Sequence, residues 1–374
     1  MENEKIALMK ERIQEQINNI DNKDFSLYFY VIDTKGVPSG SLNYIYDLAL
    51  GLQNMGYKVG MLHNEEEFVG VEEWLGDTYA SLEHMNIEKS KINVSPSDII
   101  FIPEIFTNVM TATKKLPCQK VVILQSFDKL TELIPYGASL GDMGVFKAIT
   151  TTEANRKRMQ KYFPYMDIQV IRPKLAKEYN NINVIPNKEK QLIVNLVTRE
   201  SNDINKIIKP FFWEYPMYQW VAFRELRGLS RDKFVKALNE AAITIWVDNT
   251  TDFGYTPLEA MKTQSIVIGK LPENTPEWMW DSDNNDNPEL VNTGIWVDNY
   301  ASIPRILASV IRTWTMDEIP QEMIDGGVVL SDKYTEGKQL QDIKNVIVDN
   351  LIASRKDEYI KTLNSLDNNK NEKE

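Results

Sequence analysis

Residues 241–269 constrain this chain more than any other stretch. Seven apolar residues, AAITIWV (241–247), read as a buried strand. A loop rich in Asp, Asn, Thr and Gly follows, TPLE (256–259) opens a helix, and SIVIG (265–269) is the next strand. Strand, loop, helix and strand in so few residues make the repeating unit of a parallel sheet, because parallel neighbours need a crossover. The predicted helix start sits where the first strand ends. Several backbone amides then point at the mouth of the sheet, which suits a phosphate or diphosphate.

The same alternation runs along the rest of the chain. Residues 1–22 read as an amphipathic helix with Ile6, Met9, Ile13 and Ile17 on one side. FSLYFYVID (25–33) is a buried strand, and GVPSGSLN (36–43) is a Gly/Ser/Pro loop. Tyr44 to Met55 is a helix ending at Gly56, and Tyr57 to His63 is the next strand. Further strands are expected at 98–102, 120–124, 148–151 and 169–171. QLIVNLV (191–197) restarts the pattern, with a helix near 205–213, a strand near 217–223 and a helix at 230–240. After the 241–269 unit come GIWV (294–297) and a helix from about 301 to 314.

These signals predict an α/β chain of two Rossmann-like, doubly wound domains. The expected order is an N-terminal helix (1–22), a first domain (23–172), a linker (173–189) and a second domain (190–331). C-terminal helices (332–364) are expected to return to the first domain, ahead of a disordered tail (365–374).

Composition narrows the function. Of 374 residues 43% are apolar, enough for two cores, and no apolar run reaches the ~18–20 residues of a membrane span. The charged N-terminus reads as neither a signal peptide nor a transit sequence. One cysteine, Cys118, excludes an intramolecular disulfide and fits a reducing cytoplasm. With only His63 and His84 beside it, no metal site is expected. WMWDSDNNDN (278–287) lacks the Gly and Glu of a calcium-binding loop. The net charge of −12 argues against a nucleic acid as the main partner, since phosphate backbones want clustered Lys and Arg. Arg156, Lys157, Arg158 and Lys161 do cluster, and read as a solvated helix face. Trp213, Trp220, Trp278, Trp280 and Trp296 read as core packing ahead of sugar stacking.

The stretch TDFGYTPLEAMKTQSIVIG (251–269) resembles the donor-binding signature of GT-B glycosyltransferases, above all glycosyltransferase family 4. Phe253, Gly254, Pro257, Leu258, Glu259, Ala260 and Met261 match the family pattern in register. VPSGSLNYIYDLALGLQNMGYKVGMLH (37–63), DIIFIPEIF, KVVILQSF, REL (224–226) and TPEWM (275–279) follow in the family's order. The resemblance spans roughly residues 25–345.

That resemblance implies two domains facing a central cleft and a retaining, metal-independent transfer of a sugar from a nucleotide-diphosphate sugar, a UDP- or GDP-sugar. The donor is a substrate, and no cofactor is implied. The acceptor would be a carbohydrate, a lipid-linked group or another hydroxyl. Glu259 would hold the donor ribose; Gly254, Tyr255 and Thr256 would lie against its diphosphate and sugar. From the residues alone, TPLE is also a capping box in which Glu259 would cap its own helix. Arg199 and Lys206, with Lys209 as a rival, would face the leaving diphosphate. Gly40 and Ser41 lie in the first loop, which closes over the donor in the family. Two positions depart from the pattern: Thr251 replaces the first signature Glu, and Gln125 stands where a His is usual. Gln125 can hydrogen-bond a sugar but cannot serve as a base near neutral pH. A non-catalytic GT-B-like binding subunit therefore stays open, as does an enzyme acting on modified DNA bases.

Overall fold

The structure is a computed structural model that describes residues 2–198, 201–248, 252–280 and 290–371. The chain divides into two compact units. The first holds Met1–Thr150, Met159–Ile171 and Leu340–Glu374; the second holds Thr151–Arg158 and Arg172–Gln339.

Among the described residues the first unit is built on seven strands: β1 (Ser26–Tyr30), β2 (Lys58–His63), β3 (Glu83–Asn86), β4 (Ile99–Pro103), β5 (Gln119–Leu124), β6 (Lys147–Thr150) and β7 (Asp167–Val170). Their order is β3-β2-β1-β4-β5-β6-β7, and every pairing is parallel. Alternate residues feed two cores. Leu27 and Phe29 of β1, with Ile99 and Phe101 of β4, face one side; Tyr28, Tyr30, Ile100 and Ile102 face the other. Strand β3 was not foreseen, because Glu, His, Met and Asn at a half-exposed sheet edge carry no apolar alternation.

The last segment joins this first core. Ile343, Ile347, Leu351 and Ile352 are buried with Leu52 and Tyr44. Gly51 allows the approach: a Cβ there would stand 2.9 Å from Ile343 Cδ1. The helix Ala353–Asn371 continues through most of the stretch expected to be disordered. It packs along the first helix, Glu2–Asp21, with ion pairs Lys10–Asp367 and Lys356–Asp21 tying the two. Ile13 and Ile17 of the first helix are buried as expected, whereas Met9 is half exposed.

The second unit carries β8 (Gln191–Thr198), β9 (Ala222–Glu225), β10 (Ala241–Val247), β11 (Ile266–Lys270) and β12 (Ile295–Val297). Their order is β12-β11-β10-β8-β9, again all parallel. Ile243, Ile245 and Val247 of β10 bury against the helices Ser201–Glu214 and Ile303–Thr315; Trp246 faces the opposite core.

Several expectations shift here for physical reasons. The stretch 173–189 is no free linker. Leu175 and Tyr179 are buried in the second core, Leu175 N–H donates to Tyr334 O, and Asn187 Nδ2 donates to Ala242 O and Gln264 O. The strand expected near 217–223 starts at Ala222, because Pro216–Tyr218 form a tight 3₁₀ turn. A helix at Gln321–Ser331 had no clear signal, with two glycines inside it. Trp213 and Trp220 are 76% and 60% exposed, so neither is a core residue; Trp278 is buried.

Lys190 shows how tightly the second unit is closed at the amino end of its sheet. It is buried, and its ammonium donates to the carbonyls of Leu238 and Asn239 at the end of helix Arg231–Glu240. Burial pushes its pKa down to about 7, against the opposing pull of Glu240. Its folded value lies below the unfolded value near ~10.4, so the unfolded chain binds more protons between these limits. The resulting penalty is fully present below pH 7 and is relieved as pH rises. Denaturant titrations from pH 6 to 9 should therefore show wild-type stability gaining up to about 1.4 kcal/mol per pH unit above pH 7 relative to Lys190→Met. Parallel curves for the two proteins would show that Lys190 does not titrate there.

Candidate functional site

In each sheet the strand order reverses beside the unit's first strand: between β1 and β4, and between β8 and β10. Ligands of open α/β sheets bind in the crevice outside the carboxyl ends at such a point. In the second unit that crevice lies beyond Thr198 and Val247. Arg199 and Thr251, singled out from the sequence, lie outside the described residues, as do residues 281–287 of the 278–287 loop.

The segment after β10 explains why the signature residues occur where they do. Phe253 is buried and packs edge-on against Tyr255 and Tyr334, with ring centres 4.9 and 5.3 Å apart. Trp278 Nε1 donates to Phe253 O at 2.7 Å and anchors the turn. Gly254 then adopts φ +76°, ψ 71°, a left-handed conformation that costs glycine little. The helix Tyr255–Lys262 starts directly after it, one residue earlier than Thr256. No capping box forms: the N-cap is Gly254, which has no side chain, and Glu259 is turned to another partner. The first amides of an α-helix have no intrahelical acceptor, and this helix begins at the carboxyl edge of the sheet. Both side chains are half-buried.

Glu259 sits one turn in and is buried. Its Oε1 accepts from Arg231 Nη1 at 2.7 Å. Burial raises its pKa, and the Arg231 guanidinium opposes that rise. Tyr179 lies close enough for its hydroxyl to feel both charges, yet makes no hydrogen bond of good geometry. Neither Arg231 nor Tyr179 stood out in the sequence. Arg231 falls in the helix expected at 230–240, where nothing set it apart, and Tyr179 falls in the supposed linker.

Lys206 lies on the first turns of the helix after β8. Its ammonium pairs with Asp203 Oδ1 at 2.7 Å, and Asp203 Oδ2 accepts from Tyr300 OH at 3.2 Å. Lys270, at the carboxyl end of β11, and Lys206 each lie 5.6 Å from the Tyr300 ring centre. Lys270 was also missed from the sequence. Lys209, the rival to Lys206, is exposed on the same helix.

The remaining candidates belong to the first unit. Gly40 and Ser41 open the helix Gly40–Asn54, which is capped by Ser39 Oγ accepting from Leu42 N–H at 3.3 Å. Gln125, just past β5, donates from Nε2 to Ser41 O at 3.0 Å. The structure thus joins two positions that the sequence kept 84 residues apart. The next residue, Ser126, is fixed by its N–H donating to Glu104 Oε1 at 2.9 Å.

No protein-family model matches the sequence, and no curated protein matches it. Solved structures do share its fold. The pneumococcal O-GlcNAc transferase GtfA, in complex with UDP and GlcNAc, superposes with a TM-score of 0.61 at 9% identity, over 87% of this chain and 99% of that one. The lipopolysaccharide outer core galactosyltransferase WaaB gives 0.58 at 12%, over 87% and 99%. An alpha-glucosyltransferase in complex with UDP and a 13-mer DNA containing an HMU base gives 0.55 at 10%, over 86% and 99%. The chain has the GT-B glycosyltransferase fold, with two Rossmann-like units.

Gly254→Ala tests the turn. A Cβ would just fit, 3.4 Å from the rings of Trp246 and Trp278, so the cost is the left-handed backbone. Denaturant unfolding should show a loss of about 1–2 kcal/mol. A variant as stable as wild type would mean the chain enters this helix by another path.

Proposed function

We propose that this chain is a retaining glycosyltransferase that moves a sugar from a nucleotide-diphosphate sugar, a UDP- or GDP-sugar, to a hydroxyl acceptor. The observation that carries the reading is the start of helix Tyr255–Lys262. It opens at the carboxyl edge of a doubly wound sheet, with a buried carboxylate one turn behind it, in a GT-B fold. The glycosyltransferase activity of GtfA and WaaB adds support, as does the UDP named with GtfA.

In this reading the amides of Tyr255 and Thr256 and the helix dipole receive the diphosphate. Gly254 lets the backbone come close to it. Arg199 and Lys206 are the cations assigned to offset the charge that grows on the leaving group without a metal, and Thr251 is assigned to the donor sugar. Glu259 accepts hydrogen bonds from the ribose hydroxyls. The bond between the anomeric carbon and the phosphate oxygen breaks. The acceptor oxygen bonds to the same face of that carbon, and its proton passes to the departing phosphate. No enzyme base is needed, which accommodates Gln125 as a hydrogen-bonding residue on the first unit with Gly40 and Ser41. The acceptor class is a carbohydrate, a lipid-linked group or another hydroxyl compound. The cytoplasm suits a chain whose one cysteine is free and buried. Among the described residues no helix is long and apolar enough to cross a membrane.

A second reading, transfer to a modified DNA base, draws on the DNA-bound glucosyltransferase that shares the fold. The net charge of −12 counts against it. A gel-shift series in rising salt decides: salt-sensitive binding of modified duplex DNA favours this reading, and no shift at low salt removes it.

Calorimetry with UDP and GDP, followed by assays of sugar release from their sugars, tests the main proposal. Glu259→Gln should weaken nucleotide binding by about ten-fold or more, the worth of one or two hydrogen bonds to a charged acceptor. Unchanged affinity would remove Glu259 from the site. Nucleotide-sugar binding with no sugar released to water or any acceptor would make the chain a binding subunit instead.

A further inference from the structure

Glu259 does not stand alone behind the helix start. Arg231, the first residue of helix Arg231–Glu240, reaches it with Nη1 2.7 Å from Oε1. The Glu259 side chain is 4% exposed and that of Arg231 is 20% exposed. Tyr179, from the short helix Glu178–Asn181, is buried beside them. A salt bridge this deep contributes little net stability, because desolvating two charges cancels most of their attraction. An apolar pair of similar volume would hold the two helices at least as well. The pair therefore calls for a role beyond joining elements.

This inference rests on the reading of Glu259 as the ribose carboxylate. We propose that Arg231 is a positioning residue for the nucleotide: it occupies Oε1 of Glu259, fixes the carboxylate plane and favours its charged form, leaving Oε2 to accept the vicinal hydroxyls of a ribonucleoside diphosphate. A vicinal diol that donates two hydrogen bonds needs an ionised acceptor. A neutral carboxylic acid offers one donor in place of an acceptor.

The electrostatics supply the reason an arginine is required. Burial drives Glu259 toward its neutral form, and Arg231 is the cation that opposes this. Burial likewise works against the Arg231 charge, but Glu259, with Tyr179, Glu178 and Tyr255 behind it, outweighs that and holds its pKa above the ordinary value. The groups facing the pair are Tyr179 and Glu178 from helix Glu178–Asn181 and Tyr255 from the start of helix Tyr255–Lys262. Glu178 adds negative charge and pushes Glu259 further toward protonation. Arg231 is the one cation in this group, and a guanidinium keeps its proton at any working pH.

The test is calorimetry with UDP and GDP on the full chain at pH 6, 7, 8 and 9. Wild type should bind with little dependence on pH. Arg231→Met should bind about ten-fold or more weakly at pH 6 and recover toward pH 9 as the stranded Glu259 ionises. Arg231→Lys, which keeps a charge, should restore a flat profile with affinity within a few-fold of wild type. In sugar-release assays KM should rise more than kcat falls. Should Arg231→Met fail to fold, Arg231→Gln keeps a donor beside Oε1 without the charge and is read the same way. A flat profile at wild-type affinity in Met or Gln, while Glu259→Gln binds weakly, overturns the role of Arg231 alone. Full affinity in Glu259→Gln, or a wild type that binds neither nucleotide, overturns the ribose reading and this inference with it.

Discussion

Parallel pairing is the constraint on which everything else in this chain depends. Because every strand pairing among the described residues is parallel, each connection must cross a sheet face, and all carboxyl ends in one sheet point the same way. Crossovers bury both faces, which is why β1, β4 and β10 are apolar at nearly every position instead of alternating with polar residues. The common direction gathers the polar loops at one edge. Chemistry then has a single place to accumulate within each unit, and the residues found there are those with little to contribute to a core: Ser41 and Gln125 in one, Lys206, Thr256 and Lys270 in the other.

The sequence made this architecture readable because its strongest signals are local. A seven-residue apolar run has few other meanings, and Phe253-Gly254 followed by a helix opening can be recognised without knowing where any other residue lies. What stayed hidden was set by distant partners. Strand β3 exists because β2 offers an open edge, not because Glu-His-Met-Asn favours extension. The segment 173–189 looked like a spacer by composition, but two large residues, Leu175 and Tyr179, were enough to draw it into a core. Trp213 and Trp220 look alike to any propensity scale and yet face water. Arg231 gave no sign of its partner, since the bond to Glu259 crosses 28 residues and no periodicity relates the two.

The capping-box reading of Thr256 and Glu259 failed for an instructive reason. A capping box needs an extended N-cap whose side chain turns back onto the first turn. Here the chain enters the helix through left-handed Gly254, held by the indole of Trp278 and the ring of Phe253. With glycine as the cap, Glu259 is released from its own helix end. Arg231 then takes it sideways into the gap between two helices.

That sideways turn bears on how a strongly acidic chain can receive an anion. A carboxylate one turn behind a helix start lies about 6 Å from the amides that would meet a diphosphate. At that distance an unpaired negative charge would oppose the ligand by about 2–3 kcal/mol at an intermediate dielectric, cancelling much of what the helix dipole offers. Neutralising Glu259 by protonation would remove the repulsion but also the hydrogen-bond acceptor. Pairing it with a guanidinium removes the repulsion and keeps the acceptor. The ion pair is therefore a poor way to stabilise the fold and a good way to place acceptor oxygens next to a phosphate site. Lys206 and Lys270 meet around Tyr300 at the sheet edge of a molecule whose net charge is −12, with Asp203 holding Lys206 in an ion pair. Local arrangement of charge, and not its sum, decides which ligand such an edge can hold.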